Sequence, residues 1–400
     1  MTAPPHSGPL AGLKVVELGQ LIAGPFAARI LAEYGADVVK VETPGTGDPL
    51  RTWRKLHDGT SLWWRVQARN KRSITADLRV PEGQEIVRRL AAEADILIEN
   101  FRPGTLEKWG LGFDALHALN RRLVMVRLSG YGQTGPYRER PGFGVIGEAM
   151  GGIRYTTGSP DRPPARTGVS IGDTLAAHYA VIGALMSVIH VVRNGGPGQV
   201  VDVALHESVF NCMESLVPEY GVYGEIRERS GGALPGIVPT DSYPCRDGFV
   251  LIAGNGDSIF RRLMRAIGRP DLADDPRLAR NDGRAAQVEL IDGAIADWTG
   301  GRSIDEVLAL MNEAGVPAGR VYSVADIVAD PHYRARDMII ETTLPDGTPM
   351  PVPGIAPKLS ATPGVMRTLG PDLGEHTDEV LRGLGYSDDA VAELRRKGAV

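Results

Sequence analysis

Residues 14–42 constrain the fold more than any other stretch of the chain. Lys14-Val15-Val16-Glu17-Leu18 reads as a short strand, Phe26 to Tyr34 as a helix, and Asp37-Val38-Val39-Lys40-Val41-Glu42 as a second strand. Pro25 at the helix start and Gly35 just past its end are the punctuation that helices favour. Two strands separated by a helix over about thirty residues form a βαβ unit, with parallel pairing and a right-handed crossover.

The pattern recurs. Pro81 to Glu93 is amphipathic, with Ile86, Val87, Leu90 and Ala91 on one face. Asp95 to Glu99 reads as a buried strand, Phe113 to Asn120 as a short helix and Leu123 to Leu128 as another strand. The N-terminal part is therefore expected to be an α/β domain with a doubly wound sheet. After Gly172 the pattern changes: Asp173 to Arg193 is a long apolar helix, Gly195 to Gly198 breaks the chain, and Val200 to Leu205 returns as a strand. A Gly/Pro-rich linker starts at Ser230. A second domain begins at Phe249–Ala253, with helices over Ser258–Gly268, Gln287–Trp298 and Ile304–Ala314, and the tail from Glu379 reads as helical.

Four hundred residues suffice for two or three domains without covalent staples. Two cysteines, Cys212 and Cys245, exclude a disulfide framework and fit a reducing, cytoplasmic setting. A net charge of −5 gives no electrostatic case for nucleic acid. The first twelve residues have neither the basic nor the apolar region of a signal peptide. Leu175 to Val192 is near the minimum length of a membrane span, but nothing else in the chain suggests a membrane protein, so a helix buried in a large domain is expected.

Several chemistries lack their motifs. The first strand is followed by Gly19-Gln20-Leu21-Ile22-Ala23-Gly24, without the central glycine of a dinucleotide fingerprint, and there is no Walker A sequence. No histidine pair stands at zinc-motif spacing, so no metal is expected.

Asp173 is a stronger candidate. At the start of an apolar helix, a carboxylate meets the positive end of the helix dipole, which favours its ionised form. A partly desolvated carboxylate can act as a nucleophile, and the same position also suits an N-cap. Asn70, Lys71, Arg72 and Ser73 suit either phosphate binding or a solvated turn. Asn100, Phe101 and Arg102 follow a buried strand, where ligand crevices of open α/β sheets lie. Gly130 to Pro136 likewise follows a strand end.

Together these segments acquire a common meaning. PLAGLKVVELGQLIAGPFAARILAEYGADVVKVE, NKRSITADL, ADILIENFRPG, LSGYGQTGPYRERPGF, VSIGDTLAAHYAVIGALM, GPGQVVDVALHESV, NEAGVPAGRV and LGEHTDEVL occur in this order. In this the chain resembles the family III CoA-transferases, the CaiB/BaiF family, over nearly its whole length. The resemblance implies a Rossmann-like large domain built from both chain ends, 1–225 and 329–400, with a smaller α+β domain, 226–328, inserted between them. It also implies an interlocked homodimer.

The implied activity is transfer of coenzyme A from an acyl-CoA to a small carboxylic acid, with CoA a substrate and no tightly bound cofactor. By resemblance, Asp173 is the nucleophile and Gln20 an oxyanion donor. Leu21, Asn70, Lys71, Arg72, Ser73, Asn100, Phe101, Arg102 and Lys108 fall in CoA-contacting segments. Phe143, Gly144, Glu148 and Arg166 are substrate-pocket candidates, Arg166 for the distal carboxylate of a dicarboxylate such as succinate. A racemase branch of the family pairs this Asp with a His in Gly-His-Asp. Here the stretch is Gly142-Phe143-Gly144, and phenylalanine cannot transfer a proton. A third reading is a CoA-binding protein without turnover.

Overall fold

The computed structural model describes residues 8–400 and resolves them into two compact units. The first takes in the chain up to Ile153, then Thr167–Pro218 and Asp337–Val400; the second comprises Arg154–Arg166 and Glu219–Arg336. The units thus divide at 218/219 and 336/337, where the sequence reading put boundaries at 225/226 and 328/329. The segment 154–166 belongs with the second unit, and the Gly/Pro-rich stretch from Ser230 lies within it.

The first unit is built on a parallel six-stranded sheet: β1 (Lys14–Glu17), β2 (Asp37–Glu42), β3 (Lys71–Thr75), β4 (Ile96–Glu99), β5 (Val124–Ser129) and β6 (Val200–Ala204). Their order across the sheet is β3-β2-β1-β4-β5-β6, so the chain reverses direction of travel between β1 and β4. This is the doubly wound arrangement, and its crevice opens at the carboxyl ends of those two strands. Adjacent residues along each strand face opposite layers. Val15, Val38, Ile96 and Val124 pack with helices α1 (Ala23–Glu33) and α4 (Ile171–Asn194). Val16, Val39, Leu97 and Met125 pack with helix α2 (Pro81–Glu93) and with α9 (Thr377–Gly383) and α10 (Asp388–Arg396). Burial on both faces explains why these strands read as near-continuous apolar runs.

Helix α1 starts two residues before Pro25, and α4 starts at Ile171, with Ser170 as its N-cap residue. Asp173 is therefore inside the first turn and is not the cap. The α4 face bearing Ala176, Ala177, Ala180 and Ala184 is buried against α1 and β5, where small side chains permit close approach. Ile182, Met186 and Ile189 of the same helix are exposed. By length and composition α4 could cross a membrane, the one such helix among the described residues. Two further helices border the crevice: α3 (Gly144–Met150), and α5 (Leu205–Phe210), which continues directly from β6 where the sequence predicted strand to Leu205.

The second unit carries an antiparallel sheet of β7 (Thr240–Cys245), β8 (Gly248–Ala253) and β9 (Ala318–Arg320), in the order β9-β8-β7. Helices α6 (Asp257–Ala266), α7 (Val288–Gly300) and α8 (Ile304–Glu313) cover it. Val250, Ile252, Phe260, Leu263, Ile291, Ile295 and Val307 form its core.

Candidate active site

Strand ends place the functional side chains. The chain leaves β1 through Gly19, Gln20 and Leu21, and leaves β4 through Asn100 and Phe101. The two loops hold each other. Asn100 Oδ1 accepts from the Gln20 N–H at 2.8 Å, and Asn100 Nδ2 donates to the Gln20 carbonyl at 2.8 Å. Phe101 N–H donates to Glu99 Oε2 at 2.8 Å, and the Phe101 ring meets Trp109 edge-on at 5.4 Å. Glu99 is buried beside Arg127, which also pairs with Glu107 (2.7 Å to each carboxylate). Burial raises the Glu99 carboxyl to about 7, against the opposing pull of Arg127.

These loops line a cavity of about 360 Å³ together with Pro49, Ser129, Gly130, Phe143, Gly144, Asp173 and Leu205. The cavity thus sits at the switch point, above β1, β4 and β5, and brings together Asp173, Gln20, Leu21, Asn100, Phe101, Phe143 and Gly144. Asp173 is half-buried, on the first turn of α4. Its carboxylate lies directly against Gly144: a Cβ built there would collide with Asp173 Oδ2. A side chain at 144 would therefore displace the Asp173 carboxylate. Gly130 and Gly142 make a similar close crossing, since a Cβ on either would come within 2.9 Å of the other's Cα. Glu148 is buried in α3 and accepts from the Gly172 N–H at 3.4 Å, next to the nucleophile candidate.

A second cavity, of about 190 Å³, shares Gln20 and Phe101 with the first. It extends past the carboxyl ends of β2 and β3 and is lined by Val41, Thr43, Leu78, Arg79 and Trp109. Arg79, exposed and paired with Asp77 at 2.8 Å, is a cation that the sequence reading did not single out. Its position just after a strand end was the available signal.

The remaining sequence-predicted residues lie elsewhere. Asn70 joins the first unit's C-terminal segment: its side chain donates to the Val365 carbonyl at 2.7 Å and accepts from Arg367 N–H at 2.6 Å. Lys71 is buried, 2.7 Å from both Glu17 and the Pro25 carbonyl, and burial pulls its ammonium down to about 8. Arg72 pairs with Asp37 at 2.6 Å and Glu379 at 3.0 Å, and Ser73 Oγ donates to Glu42 at 2.5 Å. These four side chains face partners within the unit and line neither cavity. Arg102 and Lys108 are exposed, around the short helix Thr105–Lys108, and Arg166 is exposed in the second unit.

Away from the crevice, the ligand atoms of His57, Asp58 and Asp346 lie within 4.8 Å of one another, the one such trio among the described residues. His57 Nε2 hydrogen-bonds Asp346 at 2.8 Å, across 289 residues of chain, a separation no spacing motif reveals.

Chemically, the first cavity offers a half-buried carboxylate, an amide loop and an aromatic wall that includes Phe143, a side chain that cannot transfer a proton. Comparison with known proteins places the chain in a family. The family model described as CoA-transferase family III matches residues 10–377. Succinyl-CoA--D-citramalate CoA-transferase of Chloroflexus aurantiacus is 50% identical over 395 residues, covering 98% of each chain. The beta subunit of succinyl-CoA--L-malate CoA-transferase from the same organism is 43% identical, again over 98% of each. Among solved structures, a CAIB/BAIF family protein from Brucella suis aligns with a TM-score of 0.83 at 38% identity, covering 94% of this chain and 100% of that one.

Proposed function

The chain belongs to CoA-transferase family III, and from that membership we propose that it moves CoA from succinyl-CoA to a four- or five-carbon dicarboxylic acid by covalent catalysis on Asp173. It is a CoA-transferase, and CoA enters as substrate. The choice of acids rests on relatives named for succinyl-CoA with citramalate or malate.

The observation that carries the mechanism is the placement of Asp173 on the wall of the switch-point cavity that the Gln20 loop also lines. An Asp173 oxygen attacks the thioester carbonyl of the donor. The C–S bond breaks, CoA departs as thiolate, and a mixed anhydride remains. The thiolate then attacks the Asp173 carbonyl carbon, forming an aspartyl-CoA thioester and releasing the donor acid. The acceptor carboxylate attacks that thioester, giving a second anhydride and thiolate. Finally the thiolate attacks the acceptor's acyl carbon, which yields the new acyl-CoA and restores the Asp173 carboxylate. Each step replaces a carboxylate–thioester exchange with an easier acyl transfer.

Every tetrahedral intermediate carries an oxyanion that requires donors. The Gln20 and Leu21 backbone N–H groups already donate to Asn100 and Asp48. The donor this loop can offer is therefore the Gln20 side-chain amide. We place the thioester end of CoA in the first cavity and the nucleotide end along the second, where Arg79 supplies charge to a phosphate.

The apolar residues that α4 leaves exposed, Ile182, Met186 and Ile189, support the further proposal that two copies interlock and cover this face. Sedimentation velocity at twice the chain's mass is the expected outcome. Function is tested by incubating the enzyme and succinyl-CoA with a panel of carboxylic acids and weighing the new thioesters. Citramalyl-CoA or malyl-CoA is expected; no thioester beyond succinyl-CoA contradicts the assignment.

A further inference from the structure

Beneath the Gln20 loop lies a buried ion pair that touches neither cavity. Lys40, on β2, is 1% exposed, and its ammonium reaches three oxygens: the Gly19 carbonyl at 2.7 Å, Glu17 Oε1 at 2.8 Å and Asp48 Oδ2 at 2.9 Å. Asp48, also 1% exposed, accepts in turn from the Leu21 N–H at 3.0 Å and from the Leu50 N–H at 2.9 Å. Burial pulls the Lys40 ammonium down, but Asp48, Glu17 and Glu42 outweigh it and keep the group charged.

The loop above needs such support. Leu21 has φ of +65°, a left-handed conformation that a branched side chain adopts only where its surroundings impose it. Three consecutive peptide groups are fixed from below and from the side: Gly19 by Lys40, Gln20 by Asn100 and Leu21 by Asp48. Two of these three attachments belong to one ion pair.

We infer that Lys40 and Asp48 are positioning residues for the transferase reaction: the pair locks the Gly19–Leu21 backbone so that the Gln20 amide faces the Asp173 carboxylate across the cavity. The inference rests on the reading of Gln20 as oxyanion donor. Neither residue meets substrate. Loss of the pair therefore lowers turnover and leaves ground-state binding of acyl-CoA nearly intact, because a misaligned donor weakens the transition state selectively.

The test is a double-mutant cycle on kcat and KM for succinyl-CoA, with Gln20→Ala, Asp48→Asn and both together. Gln20→Ala is expected to lower kcat about a hundredfold. Asp48→Asn is expected to lower it about tenfold or more, with KM within about twofold. The double variant should be no slower than Gln20→Ala, because both act through one donor. If Gln20→Ala keeps full kcat, the donor reading fails. If Gln20→Ala is slow while Asp48→Asn is not, or if the two losses multiply, the positioning inference alone fails. Should Asp48→Asn not fold, hydrogen exchange of the wild-type peptide spanning residues 18–23 decides. Slow exchange at Leu21 supports the lock, and exchange at the rate of an open loop overturns it.

Discussion

The Asp173 carboxylate occupies the space that a side chain on Gly144 would fill. The two residues are 29 positions apart on different helices, and only a bare backbone at 144 lets the Asp173 oxygen rest against α3. Alanine at 144 displaces that oxygen without removing any polar group. Gly144→Ala is expected to lower kcat by about a hundredfold, the scale of an ångström's misplacement, with little change in melting temperature. Wild-type turnover in that variant would mean that the observed carboxylate position does not matter to catalysis.

Asn100 ties the β1 and β4 loops together through two hydrogen bonds to Gln20. Asn100→Ala removes both and leaves the Gln20 peptide without its partners. A loss of about 1–3 kcal/mol in unfolding free energy is expected, alongside a fall in kcat. Denaturant titration and steady-state kinetics check the two effects separately.

Arg79 lines the second cavity, along which we propose the nucleotide end of CoA to lie, with its guanidinium largely in solvent. Arg79→Gln should raise KM for succinyl-CoA about tenfold and leave kcat within about twofold, as expected for uniform binding of a remote phosphate. An equal fall in kcat would place Arg79 in the chemical step instead.

Burial raises Glu99 from 4.5 to about 7 in the folded chain. A carboxyl with a raised native value binds its proton more tightly folded than unfolded, so its stabilising contribution is complete below about pH 4.5 and is lost as pH rises to about 7. The slope from this one group is at most about 1.4 kcal/mol per pH unit. Urea midpoints measured from pH 4.5 to 7.5 should fall more steeply with pH in the wild type than in Glu99→Gln. Parallel curves would show that Glu99 does not titrate in that window.

The sheet was readable because its strands are buried on both faces and separated by helices with clear ends, as at Pro25 and Gly35. Asp173 was readable for a related reason: an acid is conspicuous at the head of an apolar helix. Its exact place was not, since the helix begins at Ile171, two residues earlier than the apolar run suggested.

Residues 70–73 show where local reading stops. Three of the four can form ion pairs or charge-assisted bonds, and nothing nearby in sequence indicates that Lys71 is buried on Glu17 or that Asn70 binds backbone at 365 and 367. Those partners arrive through the fold. The Gly144 contact and the Lys40–Asp48 support beneath Leu21 were hidden likewise, because each joins residues that only the folded chain brings together.

The most direct measurement is the mass of the Asp173 peptide after the enzyme is mixed with succinyl-CoA, quenched in acid and digested. The account predicts that peptide carrying CoA as a thioester, its absence from Asp173→Asn, and a loss of turnover in that variant. An unmodified Asp173 peptide, together with an Asp173→Asn enzyme that transfers CoA at the wild-type rate, would contradict it.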